Sequence, residues 1–403
     1  KRNEGNFVNN LKCFFCNHES SFVPNQILCP QCGQPMLFVD EPGEKKTIHS
    51  DKKLSLEKYL NFLPLDSVNS NLSLGEGQTP LLRLREIERR YQLEPLFAKV
   101  EASNPTLSFK DRGTAVVIQK ARQLGIKRIA TVSTGNMASS TAAYGARSGL
   151  ETILLVKKGI SVGALIASAA FNPLIVEVDG DYGDLFYQSY ELGLKYRIYF
   201  ANSVDPLRIE GYKLTSLEIC QELGEAPDYV FVPVSSGGHL LGLLKGFIEF
   251  KEAGFISAIP TFIGVQAEGC SPIAQAFKTG QVKVERFNRP ETIAHSIANP
   301  NPPAGNLVLR LIRENGGLIT SVSDEQMLRA QDFLCRFEGL FVQPESASTL
   351  AACLKLQPEI KGQAVLVLTG YGLKSAETLS SASFRQYQVT LAELPDLMEK
   401  HLT

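Results

Sequence analysis

From about residue 96 onward, short apolar and β-branched runs alternate with longer segments of mixed polarity and helical period. The runs Phe97–Val100, Arg128–Val132, Thr152–Val156 and Leu174–Val178 read as strands, and the segments 111–124, 136–148, 162–171 and 182–195 between and after them read as helices. A second set follows, with strands at 198–201, 228–234, 261–266 and 363–369 and helices at 210–223, 239–252, 325–337 and 346–356. Strand–helix alternation of this kind predicts parallel sheets, so the expected class is α/β with two open parallel-sheet domains and a cleft between them. The expected boundaries are a cysteine-rich segment at 1–40, a connector and the start of the larger domain at 41–95, a smaller α/β domain at 96–197 and a larger one at 198–403. Leu54, Leu56, Tyr59, Leu60 and Phe62 hint at one short helix or turn in the connector, and the Pro- and Asn-rich stretch 280–309 reads as loop.

Bulk properties narrow the function. With 403 residues and 44% apolar side chains the chain can fill substantial cores. Its 41 Lys and Arg nearly balance 42 Asp and Glu, for a net charge of −1. That balance leaves no electrostatic footprint for nucleic acid or an anionic membrane surface. No run has the length of a spanning helix, and Lys-Arg-Asn-Glu-Gly at the amino terminus lacks the apolar core of a signal peptide, so the expected location is cytoplasmic.

Four of the eight cysteines, Cys13, Cys16, Cys29 and Cys32, form two C-x2-C knuckles twelve residues apart. This spacing offers four soft thiolates to one tetrahedral ion and is close to that of a zinc ribbon, with Asn25 available to turn the chain in the gap and Gly33 after the second knuckle. Four protein ligands would close the site to water and substrate and make its role structural. Two disulfides, or a knuckle without metal, are the alternatives, and a cytoplasmic setting argues against the disulfides. Cys220, Cys270, Cys335 and Cys353 stand singly among apolar residues and read as buried thiols.

Candidate chemistry gathers where strands end. In Asn104-Pro-Thr-Leu-Ser-Phe-Lys-Asp-Arg-Gly113, Ser108 and Asp111 have capping-box spacing, which puts Lys110 at a helix start where the dipole disfavours a protonated amine. A lysine kept partly neutral there is a good imine-former. Val132-Ser-Thr-Gly-Asn136 leads a strand into a helix of small residues and aims N–H groups at an anion. Ser235, Ser236, Gly237, Gly238 and His239 form a second strand-to-helix junction suited to wrapping a phosphate. Asn202, Ser203 and Arg208 supply three oxyanion-binding groups after a further strand, and Thr369 ends an apolar strand beside the glycines that flank Tyr371.

Read in order, Glu76-Gly77-x-Thr79-Pro80, Ser108-Phe-Lys-Asp-Arg-Gly113, Ser133-Thr-Gly-Asn136, Asn202-Ser-Val-x-Pro-x-Arg208, Glu291-Thr-Ile-Ala294 and Leu368-Thr-Gly-x-Gly-Leu-Lys374 resemble the motif series of the threonine synthases, pyridoxal-phosphate enzymes of the tryptophan-synthase-β type, fold type II. Some members of that family carry zinc-ribbon-like amino termini. The resemblance implies that Lys110 is the Schiff-base lysine, that Asn136 meets the cofactor's phenolic oxygen, that Ser235 to His239 hold its phosphate and that Thr369 faces its pyridine nitrogen. It implies Ser133 and Thr134 at the substrate carboxylate and Asn202, Ser203 and Arg208 at the phosphate of O-phosphohomoserine. Enzymes of this fold are often dimers, so a homodimer is implied as well.

Met137, Ser236, His239 and Tyr371 depart from the family's usual residues, and the arginine-isoleucine-glycine run expected before Asn299-Pro300 is missing. Changes at such positions bear on substrate choice, because a site's hydrogen bonds are what separate one polar substrate from another. The alternatives are therefore a related enzyme acting on another phosphorylated or anionic amino acid, by cysteate-synthase-like replacement on phosphoserine or by dehydratase-like deamination. From a different class, a non-catalytic scaffold or ribbon-based binding module remains.

Overall fold

The computed structural model describes residues 10–39, 46–159, 162–180, 182–379 and 387–402; the Lys1–Gly5 segment read above lies outside them. A six-stranded sheet runs in the order Leu318–Val322, Thr261–Ala267, Tyr229–Pro233, Ala364–Leu368, Leu96–Val100, Leu81–Arg83. All neighbours are parallel except the last pair, which is antiparallel. A four-stranded parallel sheet runs Leu174–Val178, Glu151–Lys157, Arg128–Val132, Tyr199–Phe200. The central strand Ala364–Leu368 is buried along its whole length, as parallel strands covered on both faces must be.

Helices fall close to where the period placed them: Lys110–Gln123, Asn136–Ser148, Val162–Ala169, Tyr182–Tyr196, Gly238–Glu252, Asp324–Glu338 and Pro344–Leu356. Pro206–Leu223 begins earlier than expected, because Asp205 caps it by accepting from the Leu207 N–H at 2.9 Å and Pro206 suits a first helical position. The elements not anticipated are short or partly exposed: the strands Leu81–Arg83 and Leu318–Val322 and the helices Arg85–Tyr91, Pro272–Lys278 and Gly305–Glu314.

Two strands change sheets relative to the boundaries drawn from sequence. Leu96–Val100, expected in the smaller domain, pairs with Ala364–Leu368 in the larger sheet. Tyr199–Phe200, expected in the larger domain, pairs with Arg128–Val132 in the smaller. The first exchange has an electrostatic component. Lys99 is fully buried, and its ammonium finds Glu222 at 2.6 Å, Glu218 at 3.2 Å and the Thr79 carbonyl at 2.6 Å. A buried lysine needs such partners.

The amino-terminal segment is a three-stranded antiparallel sheet, ordered Glu19–Ser21, Asn10–Lys12, Leu37–Phe38. Asn25 adopts φ +68° in the gap between the cysteine knuckles. Its amide donates to the Ile198 carbonyl at 2.9 Å and accepts from the Phe200 N–H at 2.8 Å, so one side chain acts as an extra rung on the edge of the smaller sheet.

Candidate active site at the Lys110 cleft

Lys110 is the first residue of its helix, as its motif predicts, but the expected capping box does not form. Phe109 donates its N–H to the Thr369 carbonyl at 3.0 Å, and Ser108 forms an antiparallel bridge with Gly370. That pairing draws Ser108 into the interior, where its hydroxyl has no hydrogen-bond partner among the described residues. The Asp111 carboxylate turns back instead onto the Thr106 N–H and hydroxyl, both at 2.6 Å.

The Lys110 ammonium lies 4.3 Å from the Phe109 ring centroid and 5.7 Å from that of Tyr212. No carboxylate pairs with it among the described residues. Burial, and then the Arg208 charge, push it down to about 7. His239 stacks on Phe109 at 3.8 Å between centroids and meets Tyr212 edge-on at 5.5 Å. It is buried, and neither ring nitrogen has a hydrogen-bond partner among the described residues. Burial, then the charges of Lys110 and Arg112, hold its imidazole well below the usual range and therefore neutral.

Other predicted residues lie at the ends of strands in both sheets. Ser133, Thr134 and Asn136 form the half-buried turn at the end of Arg128–Val132. Ser235 and Ser236 are half-buried at the end of Tyr229–Pro233, and Gly237 takes φ +97°, a turn conformation that a side chain would strain. Asn299 donates to the Ser236 hydroxyl at 3.0 Å, tying this turn to the Pro-rich loop. The Thr369 hydroxyl lies 3.0 Å from that of Ser346, a residue the sequence reading did not single out.

Asn202 and Arg208 differ from expectation. Both are fully buried. Asn202 accepts from the Val132 N–H at 2.9 Å and donates to Ser189 at 2.9 Å. Arg208 donates to the Ala201 carbonyl at 2.7 Å and to the hydroxyls of Thr114 and Thr141 at 2.7 and 2.9 Å. These bonds lie inside the protein, and Arg208 acts on Lys110 through its charge; of Asn202, Ser203 and Arg208, Ser203 keeps open surface.

Gln343 was also missed, because a glutamine at a helix start carries no motif. It accepts from the Asn136 amide at 2.8 Å across the cleft. Lys374 ends one of the quoted motifs; its buried ammonium has no hydrogen-bond partner, and burial lowers it to about 8.

These residues fit a flat aldehyde bearing a phosphate: a partly neutral amine, a glycine–serine turn at a helix start, and buried polar atoms left without protein partners. The same group is indicated by comparison, since the family model described as "Pyridoxal-phosphate dependent enzyme" matches residues 72–370. The chain belongs to that family and is a pyridoxal-phosphate-dependent lyase. It is 36% identical over 383 residues to the threonine synthase of Methanocaldococcus jannaschii, covering 92% of this chain and 94% of that protein. To the threonine synthase of Methanosarcina acetivorans it is 34% identical, covering 92% and 93%. Among solved structures, threonine deaminase isoform 2 from Solanum lycopersicum superposes with a TM-score of 0.64 at 18% identity, over 94% of this chain and 93% of that one. Maize serine racemase gives 0.62 at 20%, over 81% and 94%. Those structures share the fold, fold type II. Among the described residues no helix is long and apolar enough to cross a membrane.

Proposed function

We propose that this chain is a threonine synthase, converting O-phospho-L-homoserine and water to L-threonine and phosphate with pyridoxal phosphate held at Lys110. The observation that carries the reading is the Lys110 amine at a helix start, 4.3 and 5.7 Å from the Phe109 and Tyr212 ring centroids and with no carboxylate paired to it among the described residues, an environment whose burial pushes it down to about 7. Similarity to threonine synthases along nearly the whole chain supports the substrate. Lys110 would link the cofactor, Ser235 to His239 would hold its phosphate, and Asn136 and Thr369 would meet its ring. The bound cofactor supplies an electron sink that acidifies protons on the substrate carbons. Lys110 would hold and return protons at its Nζ beside the substrate carbons. An amine near 7 can do both at neutral pH, whereas an ordinary lysine would stay protonated. Ser133 and Thr134 would orient the substrate carboxylate and Ser203 its phosphate, with Arg208 contributing charge from behind.

Cys13, Cys16, Cys29 and Cys32 would bind a structural zinc ion. Their four Sγ atoms lie within 4.8 Å of one another, with Cys13–Cys32 and Cys16–Cys29 both at 3.4 Å. Zn–S bonds of about 2.3 Å imply edges of about 3.8 Å in a tetrahedron, close to this arrangement.

A second reading, a related lyase for another anionic amino acid, is favoured by the internal bonding of Arg208 and by Met137, buried in the first turn of the helix Asn136–Ser148. Incubating the cofactor-loaded protein with O-phosphohomoserine and assaying phosphate and threonine separates the two. Equal release of both is expected; phosphate without threonine, or neither from a loaded protein, rejects the first reading.

A further inference from the structure

We propose that Gln343 is the positioning residue that orients Asn136 toward the bound cofactor; this rests on the pyridoxal-phosphate reading of the cleft. Gln343 stands at the N-cap of Pro344–Leu356, yet its side chain caps nothing. Serine, threonine, aspartate and asparagine are the residues that position favours, so a buried glutamine there has another task.

Its polar groups are all engaged around the cleft. Oε1 accepts from Asn136 Nδ2 at 2.8 Å, Nε2 donates to Ser375 Oγ at 3.0 Å, and the backbone N–H donates to the Gly370 carbonyl at 3.0 Å. The amide fits so closely beneath the turn after Thr369 that a Cβ on Gly370 would stand 2.1 Å from Oε1. Glycine at 370 is therefore the counterpart of glutamine at 343.

The bond to Asn136 spans the two lobes, since Asn136 opens the helix after Arg128–Val132 and Gln343 opens a helix packed on the larger sheet. An asparagine amide can exchange its oxygen and nitrogen ends by rotating about its last side-chain bond. With Gln343 Nε2 donating to Ser375 and Oε1 accepting from Asn136, as the structure has them, Asn136 presents its NH2 end here. One of its hydrogens is used and the second remains for an acceptor in the cleft. With pyridoxal phosphate bound, that acceptor is the ring's phenolic oxygen, whose proton affinity the bond would lower.

The test follows the absorbance of the Lys110-linked cofactor against pH. In Gln343→Leu the midpoint of the spectral titration should move by about one pH unit, and cofactor affinity should fall about ten-fold, as expected for loss of one hydrogen bond to a charged oxygen. The cofactor-free variant should keep a melting temperature close to the parent's. In an Asn136→Ala background the same substitution should leave the midpoint unmoved, because its route is gone. Should Gln343→Leu not fold, Gln343→Met carries the same expectations. An unmoved midpoint in the single variant, or equal shifts in both backgrounds, overturns the inference. A parent protein that forms no Lys110-linked chromophore rejects the underlying reading instead.

Discussion

Lys110 and Arg112 are two residues apart on one helix, carry the same formal charge, and are treated in opposite ways. Arg112 is fully buried, and its guanidinium forks onto Glu101 at 2.6 and 2.7 Å and onto Glu218 at 2.7 Å twice, with Thr79 at 3.1 Å. Glu218 also accepts from Ser55 at 2.7 Å and from the Gln78 N–H at 2.8 Å. Lys110 has two aromatic faces and a repelling arginine. Where a charge is structural every donor and acceptor is matched. At Lys110 that compensation is lacking, and burial with the Arg208 charge lowers the amine to about 7.

The largest expected effect tests this contrast through stability. Arg112→Met should cost about 3–5 kcal/mol in urea unfolding, because it leaves buried Glu101 without a cation and buried Glu218 with Lys99 alone. Lys110→Met should abolish formation of the cofactor-linked chromophore while leaving stability unchanged or raised by about 1 kcal/mol, since an uncompensated cation is removed. Comparable destabilisation by both would erase the distinction.

A smaller effect sharpens it through pH. In the cofactor-free protein, acylation of Lys110 needs the neutral amine. Because burial and Arg208 lower its titration, the labelling rate should reach half its maximum near pH 7, where surface lysines remain protonated. Mass spectrometry of the Lys110 peptide reads this directly, and a midpoint above pH 10 would contradict the uncompensated environment.

The smallest effect concerns the ribbon. Asn25→Ala removes the two bonds to Ile198 and Phe200 and should cost about 1–3 kcal/mol. Hydrogen exchange should quicken at Phe200 while the Arg112 neighbourhood stays protected, since that network makes no contact through Asn25.

Much of this was legible before the fold. The period of apolar residues located the helices at 136–148 and 239–252 almost to the residue, and the cysteine spacing anticipated a cluster whose four sulfurs do converge. Lys110 was legible because its motif and its helix start are local. Gln343 was not, because its meaning lies in Asn136, far away in the chain, and nothing in its neighbours Val342 and Pro344 points there. The bonds of Arg208 were not legible either: after a turn an arginine reads as open to ligand, and only packing brings Thr114 and Thr141 to it.

The sequence by itself determined most of the longer strands and helices, where thiols, glycines and Lys110 stand along them, and hence the class of chemistry. These depend on residues within a few turns of one another. Only the tertiary structure decided that Leu96–Val100 and Tyr199–Phe200 exchange sheets, that Arg112 is neutralised while Lys110 is not, and that Gln343 reaches Asn136. Compensation of a buried charge or amide is a property of distant side chains brought together, and local pattern carries no record of which of them meet.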